Sequence, residues 1–172
     1  MERADHPRQW LLAASGSMPN NPRLPVLLHH IALPAGDPAS ALEDRFAKHG
    51  WQGLWRNGVF SYHHYHSGAH EVLGVARGTA ELLIGGEEGV RLSVVAGDVL
   101  ILPAGTAHKN LGHSADFLVI GGYPPGQRAE IETGPPSKAD LRRIADLDLP
   151  AEDPVEGSAG SLVRLWQAAK SG

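Results

Sequence analysis

Apolar residues come in short runs, and from Val59 onward each run ends at a glycine or a proline. This pattern predicts strands at Val59–His66, Glu71–Ala76, Thr79–Ile84, Val90–Val95, Val99–Leu102, Ala107–Leu111 and Phe117–Gly121. Gly85-Gly86, Gly97-Asp98 and Pro103-Ala104-Gly105 start the turns between them. Many short strands with such turns indicate an antiparallel sandwich or barrel. Upstream, Gln9–Ala14 reads as an edge strand and Val26–Leu33 as a second strand, with a loop between them. One segment carries helix signals: Asp37 as N-cap, Pro38 at the first position, Ser40 and Glu43 spaced as a capping box, and Gly50 after the last turn. Leu42 and Phe46 give that helix a narrow apolar stripe. A further helix is expected from about Lys138 to Leu147, and the tail carries Leu162 to Trp166.

Val72 to Ala76 and Val99 to Leu102 are apolar on both faces, whereas the outer face of a lone barrel should be polar. Terminal segments, helices or a second subunit must cover that face. Because the helix stripe is narrow, the expectation is a two-fold homodimer.

Composition narrows the function. The 172 residues suit one domain: a core at about 58–123, a wrapping segment at 1–57, and a helix and tail at 124–172. There is no cysteine, so thiolate catalysis, disulfides and cysteine metal sites are excluded. The net charge is −4 and the longest basic run is Arg142-Arg143, so no nucleic-acid partner is expected. No apolar run approaches the ~18 residues of a membrane span, and a cytoplasmic protein is expected. The ten histidines stand out, and six of them (His63, His64, His66, His70, His108 and His113) fall between positions 63 and 113.

His64 and His66, two apart on the expected strand, would share a face with Phe60 and Tyr62. Glu71 opens the next strand, and His108 follows the rigid Pro103-x-Gly105 turn. Three imidazoles and a carboxylate turned inward suit one divalent transition ion (Fe, Mn, Ni, Zn or Cu) with coordination positions left for water or substrate. The spacing of Gly58, His64, His66, Glu71 and Gly78, followed by Gly97, Pro103, Gly105 and His108, resembles the two motifs of the cupin superfamily at nine defined positions. Gly112 stands where the second motif usually ends in asparagine, with Asn110 nearby. Pro19-Asn20-Asn21-Pro22, His70-Glu71-Val72-Leu73-Gly74-Val75, Asp153-Pro154-Val155 and Leu165-Trp166 resemble one group of small single-domain cupins, the uncharacterised YjlB-like proteins. The resemblance implies an all-β double-stranded β-helix, the cupin jelly-roll barrel, with N-terminal wrapping strands and two or three short helices. It also implies His64, His66, Glu71 and His108 as metal ligands, and a homodimer. It carries no substrate.

Among the neighbours, Tyr62 is expected to point inward, either as core or as cavity lining. Asn110 shares the face of His108, either orienting a ligand or serving the turn. His70 is expected as a solvated or supporting loop residue, or as a substitute for Glu71. His63 and Tyr65 should face outward, Lys109 and His113 should be exposed, and Asp98 should cap its turn. The four tryptophans read as packing for the wrapping segments. Two functions fit: a metal-dependent enzyme of dioxygenase or isomerase type acting on a small polar molecule, or a non-catalytic module that binds or senses a sugar-like ligand.

Overall fold

The structure, a computed structural model, describes residues 6–171. Its strands are β1 (Arg8–Trp10), β2 (Val26–His30), β3 (Gln52–Asn57), β4 (Glu71–Arg77), β5 (Thr79–Ile84), β6 (Val90–Val95), β7 (Asp98–Leu102), β8 (His108–His113) and β9 (Leu118–Tyr123). The helices are α1 (Pro38–Lys48), α2 (Lys138–Asp146) and α3 (Ser161–Ser171). One sheet has the order β1-β2-β7-β4-β9-β3 and the other β6-β5-β8, with antiparallel pairing throughout. Among the described residues no helix is long and apolar enough to cross a membrane.

The two-faced strands are explained inside one chain. On β4 and β7, Leu73, Val75, Leu100 and Leu102 turn toward the second sheet and meet Leu82, Ile84 and Leu92. Val72, Val99 and Ile101 turn the other way, under Leu42 and Phe46 of α1 and Leu162 and Trp166 of α3. Phe46 fits because Gly74 has no side chain: a Cβ there would lie 2.8 Å from its ring. The apolar face assigned to a second subunit is therefore already covered by the chain's own helices. Alternation along the strands could not show this, because much of the cover comes from α3, whose Leu162-to-Trp166 stretch read only as tail.

Two element readings change. Residues 59–66 are not a regular strand; they follow β8 through isolated pairings, His64 with His108, while Tyr65 pairs with Glu132. The strand lies earlier, at β3, where Gly53 adopts φ +64° and the register against β9 shifts between Gln52 and Trp55. That irregularity hides the alternation. At α1, Asp37 accepts a hydrogen bond from the Ser40 amide (3.1 Å), as expected of the cap. Glu43 instead pairs with Arg56 at 2.6 Å, so Ser40 and Glu43 form no capping box. The capping box belongs to α2, between Ser137 and Asp140.

Candidate metal centre

Glu71 is the first residue of β4 and His108 the first of β8, so a carboxylate on one sheet faces an imidazole on the other. His64 and His66 come from the segment that runs beside β8. The turn before His108 is pinned from several sides. Asn20 Oδ1 accepts from the Ala107 amide (3.0 Å), Asn21 Nδ2 donates to Ala104 O (3.0 Å), and the Gly105 amide donates to His66 O (2.7 Å). Gly105 sits at φ +91°, and a Cβ there would meet Asn20 O at 2.6 Å, so only glycine fits. The Pro19-Asn20-Asn21-Pro22 loop thus helps to place a site residue far away in sequence.

His66, Glu71 and His108 present ligand atoms all within 4.8 Å of one another, and all three are buried. His64 stands beside them but outside that cluster, its ring centroid 4.0 Å from that of His108 and 6.3 Å from that of His66. Each imidazole uses Nδ1–H on a main-chain carbonyl: His64 on Tyr62 (2.9 Å), His66 on Glu130 (2.8 Å) and His108 on Thr106 (3.0 Å). In the neutral rings this leaves Nε2 as a bare lone pair. His108 Nε2 lies 3.2 Å from Glu71 Oε1, and His66 Nε2 lies 3.5 Å from Oε2. Glu71 Oε1 is buried and has no hydrogen-bond partner among the described residues. Several acceptors face one another here, an arrangement that needs a proton or a cation among them. The donor set, neutral nitrogen plus carboxylate, fits a divalent transition ion.

Charge states follow from burial and neighbours. Burial opposes ionisation of Glu71, but the His108 and His66 contacts prevail and hold its carboxyl well below the usual range. Burial, then the neighbouring His108, pushes His64 down to about 3. At His66 burial works downward but is outweighed by Glu71, so its pKa rises.

These groups open into a cavity of about 570 Å³, also lined by Trp55, Phe60, Leu73, Asn110, Phe117 and Tyr123. Trp55 and Tyr123 were not anticipated. Trp55 belongs to the irregular strand β3, and Tyr123 ends β9 beyond the expected Gly121 boundary, so neither carried a positional signal. Trp55 Nε1 donates to Tyr123 Oη (2.9 Å), and a methyl at Gly121 would overlap the indole. Burial, then the charge of Glu71, raises the Tyr123 phenol and keeps it neutral.

Tyr62 does not line the cavity. It is exposed and stacks on Phe60 at 5.0 Å, because residues 59–66 lack the strand parity that would have turned it inward. Tyr65, expected outside, is buried and donates to Gly134 O (2.6 Å) for the same reason. His63 pairs with Glu87 at 2.6 Å. Asn110 lines the cavity while its Oδ1 accepts from the Gly112 amide (2.8 Å) across the bulge of β8, so it braces a strand bulge, not a turn, and faces the site. His70 is neither solvated nor a stand-in for Glu71. It is fully buried against Trp166, its Nδ1 accepting from the Ala104 amide (2.9 Å) and its Nε2 near Asp148 O (3.2 Å). His113 is exposed at the cavity edge, Lys109 is half-buried, and Asp98 caps its turn by accepting from the Val95 amide (2.8 Å).

No family model matches the sequence. The chain is similar to the crystal structure of a DUF861 family protein from Thermotoga maritima (20% identity, 56% of this chain and 96% of that one, TM-score 0.34). It is also similar to an acireductone dioxygenase from Bacillus anthracis with a cadmium ion in its active centre (16% identity, 63% and 80% covered, TM-score 0.40). Its sequence is 39% identical over 153 residues to the uncharacterized protein YjlB of Bacillus subtilis (strain 168), covering 88% of this chain and 91% of that protein. Identity of that order across nearly the full length of both chains means that the chain belongs to the family of the uncharacterized protein YjlB.

Proposed function

We propose that the chain holds one divalent transition ion through His64, His66, Glu71 and His108, and uses it to bind a small molecule in the adjoining cavity. One observation carries this reading: three imidazoles are tied through Nδ1 to carbonyls, and two of them face the two oxygens of one buried carboxylate through Nε2, His66 at Oε2 and His108 at Oε1, the latter oxygen having no hydrogen-bond partner among the described residues. A bound ion would supply Lewis acidity or, with iron, manganese or copper, oxygen activation. The chemistry then falls in the dioxygenase or isomerase class. Trp55, Phe60, Leu73 and Phe117 make part of the wall apolar, beside the polar Asn57, Asn110 and His113.

The test is metal content after purification without chelator and after reconstitution. About one ion per chain is expected, lost in His66→Ala and His108→Ala. Less than about a tenth of an equivalent after reconstitution would overturn the reading. The proposal keeps a cytoplasmic location and a homodimer, the latter on the family resemblance alone now that α1 and α3 cover the sheet. Light scattering at micromolar concentration checks it, and a single-chain mass would remove the dimer.

A further inference from the structure

We propose that Tyr123 is the hydrogen-bond donor to an oxygen of the metal-bound ligand, that Trp55 aims it, and that the ligand is an oxygen-donor chelator with an apolar body. This inference rests on the metal reading above. The Tyr123 oxygen accepts from Trp55 Nε1 at 2.9 Å, so the indole fills one of its lone pairs and restricts the directions left for the phenolic proton. Glu71 engages the phenol closely enough to raise it, but among the described residues no hydrogen bond of standard geometry takes that proton, in contrast to Tyr65, whose hydroxyl donates to Gly134 O. Tyr123 lines the same cavity as His64, His66, Glu71 and His108, and its ring centroid is 6.0 Å from that of His66. The indole can reach this position only because Gly121 offers bare backbone beneath it. A half-buried donor that lines the cavity of the metal site and is fixed from behind is arranged for an acceptor atom on the ligand.

The walls define the remainder of that ligand. Among the described residues no lysine or arginine lines the cavity, and His113 stands only at its edge, so the inner wall away from the metal offers no fixed cation to an anion. A divalent ion beside Glu71 keeps one net positive charge, and an anionic oxygen donor is matched there alone. Phe60, Leu73, Phe117 and Ile131 offer apolar surface to the rest of the molecule.

Cobalt-loaded protein, followed by its visible absorption, tests the proposal with acetohydroxamate and benzohydroxamate as probes. Benzohydroxamate is expected to bind at least about tenfold more tightly than acetohydroxamate. Tyr123→Phe should weaken both by about 3- to 10-fold while leaving cobalt affinity unchanged, the loss expected for one hydrogen bond. Trp55→Phe should give a comparable loss, again without loss of cobalt. Unchanged hydroxamate affinity in Tyr123→Phe overturns the role of the phenol, and equal affinity for the two probes overturns the apolar ligand class. Failure of the unsubstituted protein to bind cobalt is a separate result that overturns the metal reading instead.

Discussion

Glu71 and His66 set the proton competition at the site. Burial alone would favour a neutral carboxyl, but the two imidazoles keep Glu71 ionised, and Glu71 in turn raises His66 against the burial that would lower it. His64, pushed down to about 3, is neutral throughout the physiological range. An ion must therefore displace a proton from His66 that is held more firmly than on a free imidazole of pKa ~6.5. Metal affinity should fall on acidification by about tenfold per pH unit while that one proton is displaced, beginning above about pH 6.5. Competition titrations against a metal indicator between about pH 5.5 and 7.5 measure this, and a flat profile would count against His66 as a ligand. The identities of these residues and their spacing were legible from the chain. Their partners were not, because Glu130, Thr106 and Tyr62 contribute only carbonyls, and a carbonyl has no residue-type signature.

Strand irregularity decided which elements reach the site. Residues 59–66 alternate like a strand, yet they run beside β8 by scattered contacts, so Tyr62 faces out and Tyr65 faces in. Gly53 and the register shift did the reverse for β3, concealing a strand that delivers Trp55. The turn before His108 depends on Asn20, which has φ +51° and is the one non-glycine residue at positive φ among the described residues. Asparagine tolerates that region better than most residues. Its side chain donates to Ala13 O (2.8 Å) and Gly85 O (2.9 Å) and accepts from the Ala107 amide (3.0 Å), joining three segments. Asn20→Ala would leave buried backbone groups without partners and retain the backbone strain, for a loss of ~2–4 kcal/mol. Thermal melting should show a clear drop for Asn20→Ala. Asn20→Gly, which relieves φ but not the lost bonds, should be destabilised somewhat less. Equal melting temperatures for all three proteins would remove the pinning role.

At the scale of the molecule, the C-terminal segment is clasped to strand β2. Asp153 is fully buried; its Oδ1 accepts from the Val155 amide (2.7 Å), while its Oδ2 accepts from the Leu162 amide (3.0 Å) and lies 3.3 Å from His29 Nε2. Burial would raise its pKa, but His29 and these amides lower it on balance. The unfolded chain therefore takes up a proton that the folded chain refuses. The contribution is present above the unfolded value of ~3.9 and is lost as pH falls through the lower folded value. Asp153→Asn should cost ~2–4 kcal/mol at neutral pH. The gap from the parent protein should narrow below about pH 4, as followed by urea unfolding at both conditions. A gap that widens on acidification would contradict this charge assignment.

The residue chemistry and its spacing were determined by the chain itself. The two motifs, the short strands, the cap at Asp37 and the absence of cysteine all follow from local identity, which needs no partner to express. What only the tertiary structure decided is what lies opposite each residue. Cover of the six-stranded sheet by α1 and α3, burial of His70 against Trp166, and convergence of Trp55 and Tyr123 on the cavity all join residues far apart in sequence. Alternation along a strand says which way a side chain turns. It does not say whether water, a helix or a second sheet will meet it, because that depends on how the elements stack.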